Sequence, residues 1–145
     1  MAQRFPLQAV LDLAQRRLET ATAQLQKLGL QRQEAEAKLA QLQGFQAEYR
    51  ASRAQGLAQG MEPARLRDFD AFLVKLDRAI EVQTAELARA REAWAAEHER
   101  WLALRSREQA LAVLERRHDA VQARRAARAE QKEQDEFAAR KGRDA

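Results

Sequence analysis

Gly56-Leu57-Ala58-Gln59-Gly60-Met61-Glu62-Pro63 is the stretch that decides the fold, because it is the only strong punctuation inside a sequence otherwise built for helix. Two glycines let the chain leave a helix and reverse. Pro63 suits the first turn of a new helix, where its missing N–H is not needed. Upstream, Leu7, Leu11, Ala14, Leu18, Ala21, Leu25, Leu28, Ala35, Leu39, Leu42 and Tyr49 recur at alternating four- and three-residue spacing, with Arg32 and Gln46 at polar positions in the same register. Downstream, Phe69, Leu73, Leu76, Ile80, Leu87, Ala90, Trp94, Trp101, Leu104 and Leu111 do the same. Sustained heptads of this kind imply left-handed coiled-coil packing. The fold class that follows is all-α: a long antiparallel two-helix coiled-coil hairpin whose second helix is longer than the first.

Composition agrees. Ala, Leu, Glu, Gln and Arg are good helix formers and dominate, while charged residues make up 33% and aromatics 6%. Much of the apolar content is alanine, which buries little area, so a thin seam between two helices fits better than a thick core. The absence of cysteine excludes disulfides and thiolate metal sites. No secretory signal or membrane-length apolar run is visible, so a soluble cytoplasmic protein with no direct membrane insertion is expected.

A single unit is expected over 1–145, with helix one over about 5–55, the turn over 56–63, helix two over 64–138, and a disordered tail over 141–145. Helix one would span about 75 Å and helix two about 110 Å. Folding about Gln59 sets Phe5 opposite a point near Val113. Beyond it, helix two should overhang by roughly 20–25 residues. The heptad phase also slips there, since Leu111, Leu114, His118 and Val121 form an offset stripe.

Charge changes in the same region. From Arg105 to Arg128 seven arginines face Glu108, Glu115 and Asp119. From Met61 to Leu104 the balance is acidic, nine against seven. Arg116, Arg117, Val121, Arg124, Arg125 and Arg128 are therefore the candidate contacts of a docking helix, against the alternative of a frayed, solvated helix end. At the turn, Phe45, Tyr49, Phe69 and Phe72 come together. They either plug the coiled coil or, through Phe45 and Phe72 with Leu42 and Leu76 partly beneath, offer a surface patch. Trp94 and Trp101 are expected to pack on seam alanines such as Ala14, Ala21 or Ala23.

No motif carries chemistry. There is no phosphate-binding loop. His98 and His118 are 20 residues apart, and His98 reads as a solvated, salt-bridging residue rather than a ligand. Ser52 and Ser106 have no base nearby in sequence. A non-enzymatic protein without catalytic, cofactor-binding or metal sites, and without cofactor, is the expectation.

Two stretches carry a family resemblance. Leu42-Gln43-Gly44-Phe45-Gln46-Ala47-Glu48-Tyr49-Arg50 with Phe69-Asp70-Ala71-Phe72-Leu73-Val74-Lys75-Leu76-Asp77-Arg78-Ala79-Ile80 resembles the centre of FliJ, a component of the flagellar type III export apparatus. Glu130-Gln131-Lys132-Glu133-Gln134-Asp135-Glu136-Phe137-Ala138-Ala139-Arg140 is similar to that family's C-terminal stretch. The resemblance implies a coiled-coil stalk at the cytoplasmic face of the flagellar basal body. Its partners would be the hexameric export ATPase, the cytoplasmic domain of the export gate FlhA, and export chaperones that it helps to cycle. Leu42, Phe45, Tyr49, Phe72, Leu76 and Ala79 match the gate-facing positions. The family often has tyrosine where Phe45 stands, and Gln83 also departs from its pattern.

Other readings compete with this one. A structural homo-oligomer of long helices, or a stalk of a non-flagellar type III system, would use the same heptads. Nucleic-acid binding through the arginines is disfavoured, because carboxylates interrupt the basic run. The hairpin predicts a monomer in which cysteines placed on either side of the turn crosslink within one chain. Crosslinks only between chains, with a dimeric mass in solution, would establish the homo-oligomer instead.

Overall fold

The computed structural model describes residues 3–144. Two helices account for nearly all of them: α1, Gln8–Ala58, and α2, Pro63–Arg143. No helix among the described residues is long and apolar enough to cross a membrane. The architecture is the antiparallel helical hairpin, with the second helix the longer.

The turn is shorter than the glycine-to-proline stretch suggests. α1 runs through Gly56 and ends at Ala58. Gln59 N–H bonds the carbonyls of Gln55 and Gly56, each at 3.2 Å, and Gly60 N–H bonds that of Leu57 at 3.2 Å. These bonds tighten the last turn and satisfy carbonyls that would otherwise be orphaned. Among the described residues Gly60 alone takes a positive φ, +87°, so it is the residue that reverses the chain. Gly56 serves a different purpose: a Cβ there would collide with the Met61 side chain. The Glu62 carbonyl then accepts the Leu66 N–H at 3.1 Å, and Pro63 opens α2.

The chain forms two compact units, 21–100 around the turn and 1–20 with 101–145 at the chain ends. In the turn unit, α1 turns Ala21, Leu25, Leu28, Arg32, Ala35, Leu39, Leu42 and Gln46 away from solvent, and α2 turns Leu66, Phe69, Leu73, Leu76, Ile80, Gln83, Leu87, Ala90 and Trp94. The alternation of three and four is unbroken, although several positions are polar. The polar residues are accommodated differently, and the buried Arg32 Nε has no hydrogen-bond partner. Gln83 is buried, and its amide donates to the Ala35 carbonyl at 3.1 Å. The Arg32 guanidinium lies 4.6 Å from the Trp94 ring centroid, where cation–π attraction offsets its loss of water. Trp94 thus packs over Arg32 and beside Gly29, rather than on the alanines the sequence suggests. Its other neighbour is His98, stacked at 4.8 Å and 9°.

In the terminal unit, Phe5, Leu11, Ala14 and Leu111 form the core, with Ala112 packed against them. Residues 3–7 precede the helix and act as a strap. The Phe5 carbonyl accepts the Gln8 N–H at 3.1 Å, the Phe5 ring rests on His118 at 5.6 Å, and Gln3 N–H reaches Gln122 Oε1 at 3.3 Å. The strap explains why cover on α2 extends to Gln122 rather than stopping near Val113. Residues 6–7 form a turn into α1, so the added cover comes from the Phe5 ring on His118 and from Gln3 reaching Gln122.

The expected phase slip is not there. Trp101, Leu104, Glu108, Leu111, Glu115, His118 and Gln122 continue the seam spacing and are all at least half-buried, whereas Leu114 and Val121 are 42% and 36% exposed. The seam simply becomes polar. From Ala123 to Asp144 every described residue is exposed. α2 also continues through Lys141, Gly142 and Arg143, where a disordered tail is expected. One more backbone bond, Asp144 N–H to the Arg140 carbonyl at 3.2 Å, closes the last turn, and Arg140, Lys141 and Arg143 face the negative end of the helix dipole. Ala145 lies outside the described residues.

Leu11 is only 1% exposed. Leu11→Ala should cost about 2–4 kcal/mol of stability, because the thin seam can collapse only partly around the cavity. Urea unfolding followed by circular dichroism measures it. Phe5→Ala should speed amide exchange at α2 residues 111–122 while leaving 66–90 protected, which mass-spectrometric hydrogen exchange resolves by segment.

Candidate docking surfaces

Near the turn, α1 supplies Phe45 and Tyr49, and α2 supplies Phe69 and Phe72. Tyr49 is in seam phase, yet it stands 38% exposed. Its ring instead meets Phe72 at 4.3 Å and Phe69 at 5.8 Å. Such offset and tilted contacts suit aromatic quadrupoles. Phe72 and Phe45 remain 39% and 45% exposed. Leu76 is buried beneath this patch, and Leu42 and Ala79 are half-buried. Of the six residues matched to gate contacts, Phe45, Tyr49 and Phe72 therefore present substantial side-chain surface. Leu76, buried, presents almost none.

Polar contacts frame the patch. Gln46 donates from its amide to Asp77, and the Arg50 guanidinium lies 3.8 Å from the same carboxylate. Arg53 Nε donates to Asp70 at 2.7 Å. Exposed ion pairs contribute little to stability. Here they link α1 to α2 on either side of the rings and limit how far the patch can rearrange.

The second surface lies in the terminal unit. Arg116, Arg117, Val121, Arg124, Arg125 and Arg128 are all exposed. The first three lie beside the part of α2 that the strap covers, and the other three lie beyond Gln122. Arg124 Nε bonds back to the Ala120 carbonyl at 3.4 Å. Phe137, 67% exposed, is the most exposed aromatic, with the Lys141 ammonium 5.8 Å from its ring centroid. The sequence shows this side chain only as part of a motif. It also gives no hint of the Phe5 strap, whose ring precedes the heptads and falls outside their phase.

Chemistry-bearing side chains do not converge. Among the described residues no group of three or more His, Asp or Glu side chains could hold a metal ion. His98, expected to be solvated, is half-buried by its stack on Trp94. His118 is covered by Phe5, with the Asp119 carboxylate 3.5 Å from Nδ1. What the residues offer is exposed surface: an aromatic patch in one unit and an arginine-rich bare helix in the other.

The family model described as "Flagellar FliJ protein" matches residues 3–145. The flagellar FliJ protein of Salmonella typhi is 29% identical over 140 residues, covering 97% of this chain and 95% of that protein. No solved structure matches the chain. With a family match running over essentially the whole of the paired helices, this chain belongs to the flagellar FliJ family.

Proposed function

We propose that this chain is a non-enzymatic stalk of the flagellar export apparatus. It would link the export ATPase ring to the cytoplasmic domain of the export gate at the cytoplasmic face of the basal body, and assist chaperone cycling. The observation that carries this reading is the helix that outruns its cover. α2 beyond Gln122 is bare on every side yet stays helical to Arg143. A helix that is polar all round either spans to something else or gains little from being formed. Its arginines would meet acidic groups in the ring centre, and the charge-assisted contacts would weaken as salt rises.

The turn patch supplies the other contact. Rings held by one another lose little rotamer freedom on docking, so Phe72 and Tyr49 suit an anchor role. The area is small, and a weak, exchangeable complex follows.

Binding of the purified chain to each partner at physiological salt tests both halves. Phe72→Ala should weaken gate binding about tenfold, equivalent to about 1.4 kcal/mol, and leave ATPase binding unchanged. Changing Arg124 and Arg125 together to Glu should do the reverse. If the wild-type chain binds neither partner, the stalk reading fails. Loss of both bindings from either change would show a common surface instead.

A further inference from the structure

We propose that the terminal unit carries a second, lateral docking face that seats an acidic amphipathic helix of a partner protein as a third strand. It shares Arg117, Val121 and Arg124 with the arginine-rich surface described above, but its centre lies between α1 and α2. Its centre is a groove between the helices, lined on α1 by Val10, Leu13, Ala14 and Arg17 and on α2 by Leu104 and Arg107. Val10 and Leu13 are 37% and 43% exposed there.

The heptad extends the groove. Arg107, Leu114 and Val121 recur every seven residues on α2, just outside the seam, with Arg117 and Arg124 interleaved. Residues at this spacing share one stripe of a coiled-coil helix. Leu114 at 42% and Val121 at 36% exposure are the residues the sequence reads as a slipped phase. The stripe is a face in its own right: aliphatic side chains set between arginines.

Charge selects the occupant. No carboxylate falls on the stripe from Ala103 to Arg128, nor on its α1 counterpart from Val10 to Arg17. Glu108 and Glu115 sit in the seam, while Asp12, Glu19 and Asp119 lie on the other side of it. A ridge of leucines flanked by glutamates would place its apolar side chains in the groove and its carboxylates against Arg17 and Arg107. A second copy fits poorly, since a two-fold contact through this face would set arginine rows against each other. A lipid surface would favour apolar side chains that protrude, whereas Val10 and Leu13 line a concavity.

The probe is a synthetic helical peptide about three heptads long, with leucine along one stripe and glutamate on both its flanks. Its binding to the full chain is followed by fluorescence anisotropy. The glutamate peptide should bind at least tenfold more tightly than a version with lysine in place of glutamate. Leu13→Glu and Leu114→Glu should each lower its affinity tenfold or more. Arg17→Gln with Arg107→Gln, at exposed positions, should lower affinity and flatten its salt dependence without changing helicity. Leu30→Glu, in the turn unit, should change nothing.

Equal binding of the two peptides, or indifference to Leu13 and Leu114, overturns the proposal. Tighter association with anionic vesicles, or a self-association that Leu114→Glu abolishes, also overturns it and assigns the face to lipid or to a second copy. Neither the ATPase nor the gate takes part, so failure here is separate from failure of the stalk reading.

Discussion

Everything in this protein depends on a seam only one side chain wide. A two-helix coiled coil has no interior beyond the row of side chains that each helix turns toward the other. In each unit that row is kept by the three–four alternation, and the alternation survives wherever an apolar residue is missing. Arg32 holds its place by lying on Trp94, and Gln83 by giving its amide to a carbonyl of the facing helix. Polar seam residues have few satisfactory positions, so they penalise any shift of one helix along the other. The alanine-rich row supplies modest burial, and the polar layers supply register.

A seam this thin leaves most of each helix free. Nearly every residue outside the row faces water, and that surface is where the chain can differ from one stretch to the next. Around the turn it carries aromatic rings braced against one another. Over 103–128 it carries arginines, with aliphatic side chains between them and carboxylates kept to the seam or the far side. A globular domain of this length would have used much of that surface for its own core. A coiled coil uses little of its chain for a core and presents the rest.

Thinness also sets dynamics. The buried side chains are few and spread along the row, so opening one turn costs only its own contacts. The Phe5 strap counters this at the place where α1 runs out. An aromatic ring and a backbone bond from Gln3 hold down the last covered stretch of α2. Past Gln122 only the backbone ladder and local charge maintain the helix, which makes that end the easiest part to remodel on docking.

The sequence by itself determined the two helices, their order and the reversal between them. Heptad spacing and the glycine-to-proline stretch are local signals, and local signals are what periodicity can read. It also pointed to the aromatic and arginine clusters, because helical spacing converts residue number directly into face. The tertiary structure decided what depended on side chains meeting across the seam. Leu111, Leu114, His118 and Val121 read as one slipped stripe, but packing divided them: Leu111 and His118 went inward, Leu114 and Val121 outward. Periodicity ranks residues by hydropathy, so it passed over Glu108, Glu115 and Gln122, which hold the true phase with polar side chains. The same limit hid the strap. Phe5 belongs to no repeat, and its burial exists only because α2 extends far enough to receive it.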